Sequence, residues 1–364
     1  MKHKLILLLA LLFAFPAFAQ TDRVQELIQE GITLMDNGEL DASIAKLQEA
    51  RKLDSKNNLV LYEIGLAHYL KADYQKALEI TAPLVKGKKA FDQAFQLRGN
   101  SYDMLGDPTK AIKTYEEGLK KFPNSGPLYL EAGVVLLKTN TPDKALTYFE
   151  KGIEMAPRHP SNYYWAAKLF LDSDEEVWGM LYGEIFRNLE PNSARSSEIS
   201  KLLYDTYKSE IKFISDTTAS VSFSKSNVMG FNSKTSSFNL PFGTMSYEMT
   251  MAVSVAGKKQ IDLPSLHQIR TSFVENFYGN DINKRFDNLL FQWHRTLQDA
   301  GHFEAYNYWL LSAGDEEAFN AWVEQHEQQF QAFADWYTQD RFPVSPQSYF
   351  HRSQLSNVTL STEE

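Results

Sequence analysis

The residues best equipped for chemistry are His294, His302 and Glu304, with Trp309 and Trp322 nearby in the chain. An imidazole beside a carboxylate can move a proton, and indole faces can stack on a sugar or a peptide. No spacing turns them into a recognisable constellation. His326-Glu327-Gln328-Gln329-Phe330 lacks the second histidine of a zinc-protease helix. His68, His159, His267, His294, His302 and His351 show no close ligand pairing, so neither a metal nor a cofactor is expected. There is no Gly-x-Ser-x-Gly elbow, and Gly230 to Thr235 lacks the Gly-Lys of a phosphate loop. Asp172-Ser173-Asp174-Glu175-Glu176 starts like a calcium loop but has Val177 where that loop needs glycine. Acids there suit the start of a helix, where they cap backbone donors and complement the dipole. Binding is therefore preferred to catalysis.

The elements that would position these residues are set by a strong internal period. Gly31, Gly65, Gly99, Gly133 and Ala167 recur every 34 residues, and Pro123, Pro157 and Pro191 keep the same step. Units of this length bury their apolar faces only against their neighbours. In one phase they run 24–57, 58–91, 92–125, 126–159 and 160–193. In the third unit Leu97, Arg98, Gly99 and Tyr102 mark a first helix, and Gly106-Asp107-Pro108 marks a turn. Ala111, Tyr115 and Gly118 mark a second helix that ends before Pro123. The fourth unit repeats this with Gly133, Ala145, Phe149 and Pro157.

These residues resemble the tetratricopeptide repeat family, in which a Trp-Leu-Gly-Tyr helix is followed by an Ala-Phe-Pro helix. The resemblance covers residues 24–193. Leu61, Phe95, Tyr129 and Tyr163 stand where the pattern has Trp, and Gly179 and Gly183 replace Ala and Phe in the fifth unit. It implies a mainly α protein built on a right-handed helical solenoid, which a smaller α+β domain is expected to follow. It also implies that the first helices line a concave face for a partner polypeptide. Ile28, Ile32, Tyr62, Leu66, Tyr69, Gln96, Asn100, Asp103, Leu130, Val134, Tyr164 and Lys168 then face the groove. Only Asn100 and Lys168 suit a clamp on a terminal carboxylate, so no such clamp is expected. A competing expectation is that this groove packs against the second half of the chain. Residues 196–214 carry Ile199, Leu202, Leu203, Tyr207, Ile211 and Ile214 at helical spacing, and predict a helix that caps the array.

Composition bounds the compartment and the partner. Lys2 and Lys4 precede the apolar run Leu5 to Phe15, and Ala17-Phe18-Ala19 fits small-x-small cleavage, so residues 1–19 read as a signal peptide. The remainder carries 35 basic and 46 acidic residues, net -11, against -9 for the whole chain. Nucleic acid is a poor partner for such a charge. With no cysteine anywhere, there is no disulfide staple and no thiolate chemistry. No later stretch is long and apolar enough to span a bilayer. These features predict an exported protein, in the periplasm or secreted.

Residues 215–350 predict an α+β domain. Met245, Tyr247, Met249, Met251, Val253 and Val255 alternate with small or polar residues, the pattern of a strand with one buried face. With Val221, Phe223, Phe238, Leu240 and Phe242 this predicts a hairpin or three-stranded meander over 218–256. Helices are expected over 265–278, 282–300, 302–312 and 315–337, and residues 351–364 as a tail. Between Phe286 and Phe350, 16 of 65 residues are aromatic, which predicts an aromatic core or a stacking platform. Ala300 to Trp309 echoes Ala313 to Trp322 at a step of 13. The first functional expectation is a periplasmic scaffold that binds a partner segment. The alternatives are an enzyme or small-ligand binder (sugar or peptide) with its pocket in 215–350, and a structural subunit of an envelope assembly.

Overall fold

The computed structural model describes residues 21–215, 218–225, 230–232, 237–239, 241–356 and 359–361. The expected signal peptide lies outside them. They fall into two compact units that divide between Thr141 and Pro142. The division falls between the two helices of the fourth repeat, not near Ile214.

The first unit alternates A and B helices. They are α1 (21–36), α2 (Leu40–Leu53), α3 (Asn58–Leu70), α4 (Tyr74–Thr81), α5 (Asp92–Met104), α6 (Pro108–Lys121) and α7 (Gly126–Lys138). Local chemistry starts and stops them. Asp73 and Asp107 accept the backbone N–H groups of Lys76 and Lys110 at the starts of α4 and α6. Pro108 stands in the first turn of α6, where no partner for an N–H is needed. The turn between paired helices passes through a left-handed residue at Gly38 (φ 80°), Ala72 (61°), Gly106 (78°) and Asn140 (55°). These four are again 34 apart, so the period is written in the backbone as well as in the packing. The conserved-step glycines of the A helices serve close approach: a Cβ on Gly99 would lie 2.0 Å from Tyr115 Cε1, and one on Gly65 would lie 2.4 Å from Thr81 Cγ2. Ala50, Ala77, Ala94 and Ala111 are fully buried at the same helix crossings.

The second unit continues with α8 (Pro142–Met155), α9 (Pro160–Leu171), α10 (Glu176–Leu189) and α11 (Ala194–Glu210). Gly183 of α10 faces Ile199 and Leu203 of α11, so α11 caps the fifth repeat along a small-residue face. It ends four residues before the expected boundary. Ile211–Ser215 is instead strand β1, paired antiparallel with β2 (Thr218–Val221). Strands β3 (Gly230–Asn232), β4 (Ser237–Asn239) and β5 (Thr359–Ser361) form a separate antiparallel sheet in the order β3-β4-β5. The expected tail therefore contributes an edge strand, preceded by the single turn α19 (Ser353–Ser356).

The expected strand over 245–255 is a helix: a π-helical stretch over Gly243–Glu248 followed by α12 (Met249–Ser254). Tyr247, Met251 and Val255 are 3%, 1% and 2% exposed, while Met245, Met249 and Val253 are 42%, 58% and 60% exposed. Each set has a step of four, so two opposite helical faces interleave and imitate a strand's alternation. Ser246, Thr250 and Ser254, which a strand would turn to water, are buried. Thr250 and Ser254 donate their hydroxyls to the carbonyls four residues back at 2.7 Å.

The remaining helices are α13 (Leu263–Gly279), α14 (Asn283–Phe286), α15 (Leu289–Asp299), α16 (Phe303–Leu310), α17 (Glu316–Gln325) and α18 (Glu327–Gln339). Two expected helices are each broken in two. Asn288 leaves helical geometry and caps the N–H groups of Leu290 and Phe291, and His326 interrupts the last expected helix at φ -128°, ψ 32°. Most aromatics of 286–350 are core: Phe291, Tyr306 and Phe350 are among the largest fully buried side chains.

Candidate functional site

In the first unit nine of the residues expected to face a groove lie on the A helices. Ile32, Tyr62, Leu66, Tyr69, Gln96, Asn100, Asp103, Leu130 and Val134 are all half-buried, while their neighbours on the inner faces, such as Ala67, Leu97 and Ala132, are buried. The helical step explains this: positions four apart share a face, and this face lies off the crossing between A and B helices. Tyr62 meets Phe91 edge-on at 5.5 Å, and Tyr69 meets Tyr74 at 5.3 Å, so both rings are held in place. The middle of the ladder is polar and cross-braced between successive repeats. Gln96 Nε2 donates to Glu131 Oε1 at 2.9 Å, and Lys138 Nζ donates to Asp103 Oδ2 at 2.6 Å. Tyr115 OH donates to Asn100 Oδ1 at 2.6 Å. Ile28 does not belong to this surface. It is 3% exposed and packs with Val24, Leu27, Leu47, Ala50, Val60 and Ile64, because the first A helix needs that position to seal its own core.

Tyr164 and Lys168, in the second unit, are already engaged. Tyr164 is 6% exposed and donates its hydroxyl to Glu198 Oε2 at 2.6 Å, and Lys168 Nζ donates to Glu198 Oε1 at 2.6 Å. The capping helix α11 thus occupies this part of the A-helix face. The open-groove expectation is corrected for these two residues.

The residues suspected of chemistry are scattered. His302 lies against Trp336 at 5.0 Å. Glu304 accepts from Trp322 Nε1 at 3.3 Å and Gln329 Nε2 at 3.1 Å. Trp322 stacks on Tyr308 at 4.4 Å and on His326 at 4.8 Å. Trp309 stands half-buried on the wall of a cleft. Among the described residues, no group of three or more His, Asp or Glu side chains is placed to hold a metal ion. The acids at 172–176 cap less than expected: Glu175 sits at the N-cap of α10 but takes no cap bond, accepting instead from Ser224 Oγ at 2.9 Å.

His294 belongs to a buried polar cluster that sequence spacing did not reveal. Glu184 Oε1 accepts from Arg270 Nη2 at 2.6 Å, His294 Nε2 at 2.6 Å and Tyr306 OH at 2.8 Å. Its other oxygen accepts from Arg270 Nη1 at 3.1 Å. Arg270 also donates to Asn307 Oδ1 at 2.6 Å and to Tyr207 OH at 2.9 Å. Burial alone would raise the Glu184 carboxyl, but the Arg270 guanidinium and His294 together bring it down to about 2. Burial pulls His294 below its ordinary value despite that carboxylate. The adjoining cavity is about 20 Å³, room for roughly one water and no substrate. This cluster holds α10, α11, α13, α15 and α16 together. A sequence signal existed. Arg270 interrupts the apolar stripe Leu263, Leu266, Ile269, Phe273, Val274, Phe277, and Glu184 interrupts Met180, Leu181, Ile185. A charge on a core-facing stripe demands a partner.

A model of the tetratricopeptide repeat family matches residues 28–82 and 97–160. Tetratricopeptide repeat protein 21B of Mus musculus is 33% identical over 87 residues, which is 24% of this chain and 7% of that protein. The chain thus spans only a small part of the length of that relative. Among solved structures, it is similar to a thermophilic TPR protein in Thermus thermophilus, at 18% identity over 50% of this chain and 98% of that one, TM-score 0.41. It is also similar to Pseudomonas aeruginosa pilF, at 18% identity over 52% of this chain and 86% of that one, TM-score 0.42. With the paired helices, the repeated left-handed turn and the small-residue crossings in register, the matched stretches, residues 28–82 and 97–160, are tetratricopeptide repeats.

Proposed function

We propose that this chain is an exported interaction scaffold whose first unit receives a segment of another polypeptide on the ladder of its A helices. The observation that carries the reading is the run of half-buried Ile32, Tyr62, Leu66, Tyr69, Leu130 and Val134, flanking a polar middle braced by Gln96–Glu131 and Asp103–Lys138. Aliphatic and aromatic side chains left partly in water on one face, next to a complete core, supply anchoring area for a partner. Tyr62 and Tyr69 are oriented by ring contacts, so binding need not freeze them first. The mechanism is burial of the partner segment without covalent chemistry. A polypeptide suits the net charge of -9 better than a nucleic acid does. The leader-like residues 1–19 support export, and the periplasm is the compartment proposed.

The test is affinity capture from periplasmic extract with the wild-type chain and with Tyr62→Ala/Leu66→Ala, followed by titration of the purified partner. Loss of two anchors is expected to weaken binding by at least about tenfold, equivalent to about 1.4 kcal/mol. Equal affinity for both forms would remove the ladder from the proposal. Fractionation that leaves the chain in the cytoplasm with residues 1–19 attached would remove the export.

A further inference from the structure

The second unit contains a cleft of about 1160 Å³ formed by the end of α10, the α10–α11 turn, and helices α16, α17 and α18 with the segment that follows. Its charge is unlike that of the rest of the chain. Among the described residues, Arg158, Arg187 and Arg341 line it and no carboxylate does, although the chain carries 46 acidic residues against 37 basic. Among the described residues, none of the three arginines has a carboxylate at salt-bridge distance. Arg158 Nε donates to Val344 O at 3.1 Å, and Arg187 donates to Pro191 O at 2.6 Å and Trp309 O at 3.2 Å. Arg187 is 6% exposed, and its Nε, also buried, has no hydrogen-bond partner. Its guanidinium lies over the Trp309 ring at 4.3 Å, so it is held rigidly on the cleft wall. Burial without a counter-ion lowers this arginine to about 10, an unusual state for guanidinium. Ser193, Ala194 and Ser197, from the first turn of the 17-residue helix α11, add a positive dipole end to the same wall. Trp309, Phe319, Phe330 and Tyr337 supply half-buried aromatic walls.

We propose that this cleft binds an extended acidic polypeptide segment bearing aromatic side chains, with its carboxylates on Arg158, Arg187 and Arg341 and its rings against Trp309, Phe319 and Phe330. A buried cation lacking a counter-ion and an aromatic wall together define that occupant: a carboxylate completes Arg187, and apolar side chains cover the rings. The volume lies above the roughly 300–1,000 Å³ of small-molecule pockets, which favours a peptide segment. The carboxylate can come from acidic side chains or from a free chain end. The site is separate from the ladder of the first unit and does not depend on it.

The test is calorimetric titration of the full chain with acetylated pentapeptides. Ac-Glu-Phe-Glu-Phe-Glu-NH2 offers side-chain carboxylates only, Ac-Gln-Phe-Gln-Phe-Gln-OH offers a terminal carboxylate only, and Ac-Gln-Phe-Gln-Phe-Gln-NH2 offers none. One or both charged peptides are expected to bind at least about tenfold more tightly than the uncharged one, with affinity falling as salt rises. Arg158→Gln/Arg341→Gln changes two exposed residues and leaves Arg187 in place, so the fold is kept. It is expected to weaken the charged peptides by about fivefold or more and to leave the uncharged one unchanged. Equal binding of all three peptides, no binding of any, or an unchanged affinity in the double variant overturns the proposal. Tighter binding of a short oligothymidylate overturns it in favour of phosphate recognition. Loss of peptide binding in Tyr62→Ala/Leu66→Ala, with none in the double arginine variant, overturns it in favour of the first unit.

Discussion

Glu184→Gln removes one charge from the buried cluster and keeps the side chain's shape. Glu184 and Arg270 are 3% and 5% exposed, so the variant leaves a guanidinium buried without its counter-ion. Breaking a buried pair in this way costs about 3–5 kcal/mol. Burial opposes the charge on Glu184, but Arg270 and His294 outweigh it and bring the carboxyl from 4.5 to about 2. That displacement corresponds to about 3 kcal/mol of folding stability. The folded value is the depressed one, so this stability is fully present above pH 4.5 and is lost as pH falls toward 2. By pH 3 about 2 kcal/mol of it is gone. His294, pulled down chiefly by burial, works in the same direction below its ordinary value of 6.5; Glu184 is what holds it up, so Glu184→Gln lowers it further and adds a low-pH penalty that offsets part of the narrowing. All six tryptophans, Trp165, Trp178, Trp293, Trp309, Trp322 and Trp336, lie in the second unit, so urea unfolding followed by their fluorescence reports on that unit alone. The expected result is a loss of about 3–5 kcal/mol for Glu184→Gln at pH 7, with the gap to wild type narrowing at pH 3 by at most about 2 kcal/mol. A gap below about 0.5 kcal/mol at pH 7, or one that does not change with pH, would refute the assignment of this cluster as a charged keystone.

Two further perturbations test the local geometry. Met251→Ala should cost the second unit about 2–5 kcal/mol, while Met249→Ala should stay within about 0.5 kcal/mol, by the same fluorescence assay. A strand would put both on one face, so equal losses would contradict the helix. In the first unit, Ala72→Gly relieves a left-handed alanine at φ 61° and should gain about 0.5 kcal/mol after the added unfolded-state freedom is counted. Gly106→Ala imposes the same strain at φ 78° and should lose about as much. Both are read by far-ultraviolet circular dichroism in urea, and a shared sign would sink the equivalence of the two turns.

The repeats were legible because everything that makes them is local. Gly99 admits Tyr115 from within the same hairpin, Asp107 caps the helix that begins beside it, and the left-handed residue of each turn falls at a fixed offset. Each of these is a contact across fewer than twenty residues, so it leaves a mark at a fixed spacing. Three of the expected groove residues fall elsewhere: Ile28 is buried because the first helix has no preceding repeat to share its burial, and Tyr164 and Lys168 are taken up by Glu198 of the capping helix. Residues 245–255 misled because apolar side chains lie on two opposite faces of one helix. Only the core face is buried, and the sequence alone does not distinguish Met249 in water from Met251 in the core.

The fifth repeat shows why the rest was hidden. In an array, a terminal helix must lose its apolar outer face or have it covered. Helix α10 takes the second course to an extreme. Every residue from Val177 to Asn188 is buried, so no solvent-facing stripe exists to reveal its orientation. On one side Gly183 lets α11 approach to Ile199 and Leu203. On another, Glu184 turns to Arg270, 86 residues later in the chain. On a third, Arg187 and Asn188 reach the aromatic helices, through Trp309 and through Tyr306 and Tyr337. A helix buried on all sides reads as uniformly apolar, and its few charges are then its only directional marks. Glu184 and Arg187 are those marks. The first is completed by a guanidinium from within the chain and makes a keystone. The second has, among the described residues, a ring and two carbonyls but no anion, and that physical difference separates a structural charge from the one proposed to meet a ligand.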